Sequence, residues 1–343
     1  MPEIYSHTTL RGIAATLVFV VHLHYGVFME SFWFLSPYPV DLFFVLSGFI
    51  LNWVYLGTGK PIHWGQYFWA RAGRILPLYY LTMLVCLPLA VICSNEKPLA
   101  AWPTDLLLNL SLLSGVFNTP TFNGPAWSIG VEYFCYLLVF PVLVALVRLS
   151  LRSWLLIAIS VIGILILSRG LVICHRGSLF QDAPGFLSNP FLQRGILGFT
   201  IGFLLCTIFL KVRNCLWPAR LVKTATCFFL VLLFLALSKA IPPHMALYIM
   251  PFLVFFTAFD AGLVANCFKF RPLQWLGTRS YSIYLWHQPL IHYTKDLREC
   301  IAEPLYTSAI LFFVFGISEV SYRYFEMPAR SAIRSWGKKS NCQ

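Results

Sequence analysis

The sequence predicts an all-α polytopic membrane protein with about ten transmembrane helices. Of its 343 residues, 59% are hydrophobic and 11% are charged, whereas about 25% of the residues of a typical soluble domain are charged. Several apolar runs reach about 20 residues, the length that a helix needs to cross a bilayer. These runs lack the period-two alternation of membrane β-strands, so we expect helices, which satisfy their own backbone hydrogen bonds in hydrocarbon.

Ten spans follow from the apolar runs, with both termini in the cytoplasm. This arrangement puts 18 of the 25 lysines and arginines in cytoplasmic segments and 7 in outer segments, in accordance with the positive-inside rule. In chain order the predicted spans are 10–30, 40–57, 75–94, 127–147, 153–170, 192–210, 224–240, 245–265, 280–294 and 303–323.

The apolar segment near 106–117 is short for a span and carries Asn109 and Ser111. Counting it as a span would also move every later loop to the opposite side of the membrane. We therefore predict a re-entrant or surface helix there. Residues 1–330 are expected to form one membrane-embedded domain, followed by a short basic cytoplasmic tail at 331–343.

The net charge of +12 is explained by cytoplasmic loops, so we expect no nucleic-acid partner. The ten cysteines form no CxxC pair and have no spacing to histidines that suits zinc, so no metal site is predicted. Membrane lipids are the expected surroundings.

Ionisable groups inside the bilayer are functional candidates by default, and Arg11 and His22 of the first helix are the foremost pair. Eleven residues apart, they return to within about 20° of one helix face and lie roughly 16 Å apart along the axis. We predict Arg11 at the cytoplasmic boundary and His22 near mid-membrane, both directed into one groove. The alternative for His22 is packing against a backbone carbonyl.

Two further polar residues are predicted near the depth of His22. Helix two brings Ser47 down from the outer side, and helix four brings Glu132, whose buried carboxylate needs a partner or water. We expect Glu132 to orient His22 or to stabilise its charged form. For Ser47 and the adjacent Gly48, close helix packing by small residues is the alternative.

At the cytoplasmic side, Arg71 and Arg74 are spaced i, i+3 and lie side by side on a helix. Two adjacent guanidinium groups suit phosphate oxygens, although ordinary positive-inside charge or lipid headgroup contact is the alternative. Later in the chain, His287 is predicted outward of mid-membrane, within reach of an acceptor. Glu326 and Arg323 are expected to form a structural ion pair.

Together these segments resemble the acyltransferase 3 family of membrane O-acyltransferases, over a match from Leu10 to Arg330. Gly130 departs from the family pattern, in which serine is frequent, so no role is carried over to it. The motifs are Arg11 with His22, Asp41-Leu-Phe-Phe-Val-Leu-Ser-Gly-Phe49, Arg71-Ala-Gly-Arg74, Trp127-Ser-Ile-Gly-Val-Glu132, Tyr284-Leu-Trp-His287 and Phe325-Glu-Met-Pro-Ala-Arg330.

The resemblance implies a ten-helix protein that takes acetyl from cytoplasmic acetyl-CoA and modifies a glycan or lipid-linked sugar. It implies that His22 is the essential histidine and that Arg71 and Arg74 are the paired arginines, with Arg11 on the donor side. It also implies a bacterial inner membrane. Some relatives carry a fused hydrolase-like domain, so we expect this stand-alone form to act alone, as a homo-oligomer or with a separate periplasmic partner.

The expected mechanism has arginines holding the donor phosphates while the acyl arm extends along the groove toward His22. Neutral His22 would take the proton of a sugar hydroxyl, with Asp41, Trp127 and His287 contacting the acceptor. Direct transfer and an acyl-enzyme on His22 or Ser47 both stay open, as does the acceptor, whether polysaccharide, lipopolysaccharide or another glycoside.

Two other function classes compete with this interpretation. A transporter or flippase without covalent chemistry also suits a polytopic protein with buried polar groups, but its two similar halves with interrupted helices are not evident. A scaffold or sensor fits poorly with so many buried polar residues.

Overall fold

A computed structural model of the chain describes residues 3–23, 37–93, 102–148, 153–179, 185–215, 219–260 and 262–339. These residues form helices joined by turns, and no strand occurs among them. The helices are α1 (Tyr5–Leu23), α2 (Pro37–Tyr55), α3 (Trp64–Cys93), α4 (Trp102–Leu110), α5 (Ser114–Phe117), α6 (Trp127–Phe134), α7 (Phe140–Val147), α8 (Ser153–Cys174), α9 (Pro190–Val212), α10 (Ala219–Leu237), α11 (Ala246–Thr257), α12 (Gly262–Phe268), α13 (Arg271–Tyr293), α14 (Leu297–Cys300), α15 (Glu303–Ser321) and α16 (Met327–Lys339).

Seven helices in the described part of the chain are long and apolar enough to cross a membrane. The all-α polytopic prediction is therefore confirmed, whereas the count of ten stays a prediction. The predicted end of the first span at residue 30 lies outside the described residues. The seven are Pro37–Tyr55, Trp64–Val91, Gly124–Val147, Leu155–Cys174, Pro190–Val212, Arg220–Leu237 and Glu303–Gly337.

Three predicted spans, 10–30, 245–265 and 280–294, are not among the seven helices that are long and apolar enough to cross a membrane. The predicted span 245–265 is interrupted, because α11 ends at Thr257 and the chain turns at Asp260, whose φ is +47°. Helices α1 and α13 are long, but they carry polar and charged side chains that lower their hydropathy. These two helices pack against each other, so their polar groups face protein rather than lipid.

Two π-helical turns have the same local cause in the sequence. Cys135–Val139 joins α6 to α7, and Tyr322–Glu326 joins α15 to α16. Each turn ends two residues before a proline, Pro141 or Pro328. Because proline lacks an N–H and its ring clashes with the carbonyl four residues back, the wider turn relieves that conflict. Such turns are frequent at functional sites.

The segment predicted as re-entrant or surface-lying is folded as α4 and α5, each too short to cross the membrane. Buried Asn109 fixes the turn that follows α4: its amide donates to the carbonyls of Asp105 and Pro120, at 2.9 Å and 3.1 Å, and its carbonyl accepts from the Phe122 amide at 3.0 Å. A Cβ on Gly130 would overlap the Leu112 carbonyl, which explains glycine at that position.

Residues predicted as a tail continue the helix to Lys339, and α16 packs on α3. The rings of Trp69 and Trp336 meet edge to face with centroids 5.8 Å apart. Residues 331–339 are therefore basic but helical, and they bring Arg334 to the same end of the bundle as Arg71.

Glycines set the closest helix contacts. A Cβ on Gly48 of α2 would overlap the Phe199 carbonyl of α9, and one on Gly202 of α9 would overlap the Val45 carbonyl of α2. The alternative interpretation of Gly48 as a close-packing residue is thus confirmed. Gly12 and Gly277 make the same kind of contact between α1 and α13, as small residues do between membrane helices.

The substitution Gly202→Ala is expected to lower the thermal stability of the purified protein, because α2 and α9 must separate to admit the methyl group. Overpacking of this kind costs about 1–3 kcal/mol. Gly316→Ala in α15 is the matched control, since no atom lies within 4 Å of its added Cβ. Equal melting temperatures for the two variants in detergent would contradict the contact.

Candidate functional site

Three adjoining cavities run through the helix bundle and bring most of the candidate residues together. The histidine cavity, of about 860 Å³, lies among the outer ends of the helices. Its lining includes His22, Pro37, Val40, Trp127, Phe191, Arg194, Tyr284 and Gln288.

The next two cavities lead toward the predicted cytoplasmic side. The central cavity is narrow and shares Val40 and Tyr284 with the histidine cavity. The arginine cavity, of about 670 Å³, shares Arg74 with the central one. Central lining residues include Arg11, Phe43, Phe44, Ile75, Ile129 and Glu132; the arginine cavity is lined by Ile50, Leu51, Val54, Tyr55, Ala70, Arg71, Arg74, Arg330 and Arg334.

His22 lies in the last turn of α1, where its Nδ1 donates to the Val18 carbonyl over 2.8 Å. Because a carbonyl oxygen only accepts, Nδ1 carries hydrogen and the neutral ring has its lone pair on Nε2. The alternative interpretation of His22, packing against a backbone carbonyl, is therefore also realised. The same hydrogen bond fixes the neutral tautomer with a free lone pair on Nε2, which is the form that a general base needs. Arg11 shares the helix but lines the central cavity, so the predicted common groove is two adjoining cavities.

His287 lies behind His22 rather than in a cavity. Its side chain is fully buried, with its ring centroid 5.1 Å from that of His22 and 5.9 Å from that of Phe19. The expected acceptor contact is therefore not seen. Helix α13 approaches α1 closely at Gly12 and Gly277, which turns the His287 ring toward α1 and supports His22 from the side.

Glu132 forms its contacts with Ser47 and Tyr136. The Ser47 hydroxyl and the Tyr136 hydroxyl both donate to its Oε1, and the two hydroxyl oxygens are 3.4 Å apart. Glu132 lines the central cavity beside Arg11, with which it interacts electrostatically. This hydrogen-bonded group lies between α2 and α6, with Ser47 and Tyr136 buried and Glu132 partly exposed to the central cavity.

The expected pairing of Glu132 with His22 is corrected by this placement. Trp127 begins α6 at the histidine cavity, and five residues of helix carry Glu132 about 7.5 Å further along the axis. The sequence analysis therefore placed Glu132 too close to the depth of His22 in the membrane. Ser47 accompanies Glu132 and is likewise outside the histidine cavity.

The arginine cavity contains both predicted phosphate ligands and two arginines to which the sequence analysis assigned no role, Arg330 at the end of a family motif and Arg334 one turn later. Arg71 lies between the rings of Tyr55 and Tyr136, with its Cζ 5.9 Å and 5.7 Å from their centroids. Arg330 and Arg334 reach the cavity from α16. Their i, i+4 spacing after the Glu-Met-Pro motif is the signal that could have identified them.

Acidic side chains are absent from the described lining of the arginine cavity. Glu326, one turn away, accepts a hydrogen bond from Ser282 at 2.8 Å and interacts electrostatically with Arg74 and Arg330. The expected ion pair of Glu326 with Arg323 is wrong. Arg323 pairs with Glu319 instead, because the π-helical turn rotates Glu326 inward toward α13.

Asp41 binds protein groups. Its Oδ1 accepts from Arg194 Nε at 3.1 Å, and its Oδ2 contacts Arg194 Nη2 at 3.1 Å and His175 Nε2 at 2.6 Å. Asp41 is 1% exposed, so its carboxylate is directed at Arg194 and His175 and not at a cavity. The guanidinium of Arg194 lines the histidine cavity and lies 5.8 Å from the Trp127 ring centroid.

Sequence reasoning missed two residues of the site. Arg194 was counted only as an outer-segment charge, and His175 was given no role. Arg194 follows the Asn189–Pro190 start of α9 and lies inside an otherwise apolar run. A charge at that position needs a partner, which is the signal that could have identified it. Trp127, in contrast, lies in the histidine cavity, where its ring packs 4.6 Å from that of Phe191.

Comparison with known proteins identifies the family. A model described as an acyltransferase domain matches residues 4–323, and the chain belongs to this family, acyltransferase 3. YrhL of Bacillus subtilis (strain 168), provisionally named a peptidoglycan O-acetyltransferase, is 25% identical over 96% of this chain and 55% of its own length.

Two further relatives carry related names. The peptidoglycan O-acetyltransferase OatA of Listeria monocytogenes (serovar 1/2a, strain EGD-e) is 24% identical over 94% of this chain and 55% of its own length. The O-acetyltransferase OatA of Staphylococcus aureus (strain NCTC 8325) is 24% identical over 94% of this chain and 56% of its own length. The chain therefore spans about half the length of these relatives. No solved structure matches it.

The substitution Asp41→Asn is expected to destabilise the protein, because it leaves the buried Arg194 guanidinium without its carboxylate. Removing one partner of a buried pair costs about 3–5 kcal/mol. The double variant Asp41→Asn/Arg194→Met is expected to recover part of the loss. The control is Asp296→Asn, at an exposed position. A melting temperature of Asp41→Asn equal to that of the control would contradict the holding role of Asp41.

Proposed function

We propose that this chain is a membrane O-acyltransferase that moves an acetyl or short acyl group from acetyl-CoA to a hydroxyl of a surface glycan or lipid-linked sugar. The observation that carries the proposal is the row of cavities, with four arginines at one end and His22 at the other. The names of the relatives make peptidoglycan the first acceptor to test, and a bacterial plasma membrane is the proposed location.

The arginine cavity suits the phosphates of the donor. Arg71, Arg74, Arg330 and Arg334 supply guanidinium groups whose planar geometry matches phosphate oxygens. Arg71 is already oriented by Tyr55 and Tyr136, so little side-chain freedom is lost on binding. Lipid headgroups could occupy a single arginine at a membrane surface, but four converging arginines favour a polyphosphate.

The central cavity suits the arm that joins the phosphates to the thioester. Its walls include Phe43, Phe44, Ile75 and Ile129, and its charged groups are Arg11, Arg74 and Glu132. Within this cavity Glu132 balances the charge of Arg11, and the hydroxyls of Ser47 and Tyr136 hold Glu132 in place. Val40 and Tyr284 mark the passage to His22, with the Tyr284 hydroxyl 2.7 Å from Ser128 Oγ.

His22 is the proposed general base. Its Nε2 takes the proton of the acceptor hydroxyl, the hydroxyl oxygen bonds to the acyl carbon, and the carbon–sulfur bond breaks. The proton on Nε2 then passes to the departing thiolate, which restores neutral His22. Ser47 is less suited to an acyl-enzyme route than His22, because its hydroxyl donates to Glu132 away from the histidine cavity.

The histidine cavity is the proposed acceptor site. Trp127 and Phe191 offer aromatic faces to a sugar ring, and Arg194 and Gln288 offer donors to its oxygens. The charge of Arg194 is balanced by Asp41, so we expect recognition of hydroxyl and amide groups rather than of an anion. A transporter would also need a row of cavities, and the experiment below separates the two functions.

Purified protein in nanodiscs is expected to bind and slowly hydrolyse radiolabelled acetyl-CoA. His22→Ala should retain binding and lose about 10²–10⁴-fold in turnover, the contribution of a general base. Arg71→Ala/Arg74→Ala should lose binding. The matched control His244→Ala, in the Pro243–Met245 turn, should behave as the wild type.

Full turnover by His22→Ala would contradict the base assignment. Failure of the wild type to bind acetyl-CoA in the same assay would contradict the donor and favour the transporter.

A further inference from the structure

A fourth cavity, which the proposed catalytic row leaves unused, opens beside the arginine cavity. We call it the tyrosine cavity; it holds about 640 Å³ and lies between the end of α2 and the start of α3. It shares Val54, Tyr55, Ala70 and Arg334 with the arginine cavity. The two spaces are therefore neighbours at the end of the row that is farthest from His22.

The inner wall of the tyrosine cavity is aromatic, and Arg334 is the charged residue of its lining. Tyr55 and Tyr67 meet edge to face with ring centroids 5.0 Å apart. The Tyr67 hydroxyl donates to the Tyr136 carbonyl at 2.7 Å, and the fully buried Tyr67 ring supports the partly exposed Tyr55 ring from behind. Pro61 and Ile62 line the cavity from the connection between the two helices.

Polar groups are confined to the remaining lining residues. Thr58, His63 and Gln66 offer a hydroxyl, an imidazole and an amide. The amide of Gln66 makes no hydrogen bond with any residue that the structure describes. An amide presents a donor and an acceptor together, as does the Watson–Crick edge of adenine. No acidic side chain is found among the described residues of this lining.

This combination fits a purine base better than a lipid chain or a sugar. Bases stack on aromatic side chains through their faces and are hydrogen-bonded at their edges. A lipid tail offers no hydrogen-bond partner to the exposed amide of Gln66 or imidazole of His63 at the rim of this cavity. In a CoA molecule the adenine is joined through a phosphorylated ribose to the diphosphate, so its subsite must adjoin the phosphate subsite and lie opposite the thioester. The tyrosine cavity meets both conditions.

We propose that the tyrosine cavity binds the adenine base of a CoA-type donor, an inference that rests on the proposed donor. Tyr55 then serves two adjoining subsites: its ring lies beside the base, and the same ring orients Arg71 toward the phosphates. Arg334, common to both cavities, lies beside the ribose. The adenine contributes binding far from the reacting carbonyl, so it affects donor affinity rather than the chemical step.

The test compares two soluble probes, adenosine 3′,5′-bisphosphate and inorganic pyrophosphate, by calorimetric titration of the full chain in nanodiscs. Ile62→Trp fills the cavity and is expected to weaken the nucleotide by about tenfold, or about 1.4 kcal/mol. Pyrophosphate, which needs only the arginines, is expected to change by less than about twofold. Ile159→Trp on exposed α8 is the matched control.

Gln66→Ala keeps the cavity open and provides a second variant if Ile62→Trp folds poorly. Loss of its hydrogen bond to the base is expected to weaken the nucleotide by about three- to tenfold, again without an effect on pyrophosphate. Equal effects on both probes, or no effect on either probe, would overturn the adenine subsite while leaving the donor proposal intact. Failure of acetyl-CoA to compete with either probe for the wild type would overturn the donor and the subsite together.

Discussion

Hydrocarbon offers no hydrogen bonds, and this constraint explains where the polar groups inside the described helices lie. The polar helices α1 and α13 pack together through Gly12 and Gly277, which hides their charged side chains from lipid. Asp41 and Arg194 neutralise each other inside the bundle, and Glu132 is held by two hydroxyls. The cavities that remain are lined by groups whose charges are balanced locally, except at the arginine end.

Much of this arrangement follows from helical periodicity in the sequence. Arg71 and Arg74 are three residues apart, and the structure places both in the arginine cavity. Arg11 and His22 share a helix face, and they line consecutive cavities of one row. Helices α1 and α13 have a low mean hydropathy because they carry polar residues. Some of these residues, such as Arg11 and His22, line the cavities. The residues that form the site therefore also make these helices harder to recognise as membrane spans.

Contacts between helices were less predictable, because periodicity within one helix does not fix which neighbour a side chain meets. Glu132 was assigned to His22 from depth alone, but its contact across the helix interface is with Ser47 of α2. His287 was placed with the acceptor, whereas the close approach of α13 to α1 puts it behind His22. The π-helical turn before Pro328 rotates Glu326 away from Arg323, and no regular helix repeat anticipates that.

The central claim is that a single row of cavities joins a donor end to an acceptor end on opposite sides of the membrane. The most direct test uses sealed vesicles of known protein orientation, with acetyl-CoA on one side and a soluble glycan acceptor on the other. Acetylated glycan is expected only when acetyl-CoA faces the arginine cavity and the glycan faces the histidine cavity. Product formed with the donor on the histidine side, or only with both substrates on one side, would contradict it.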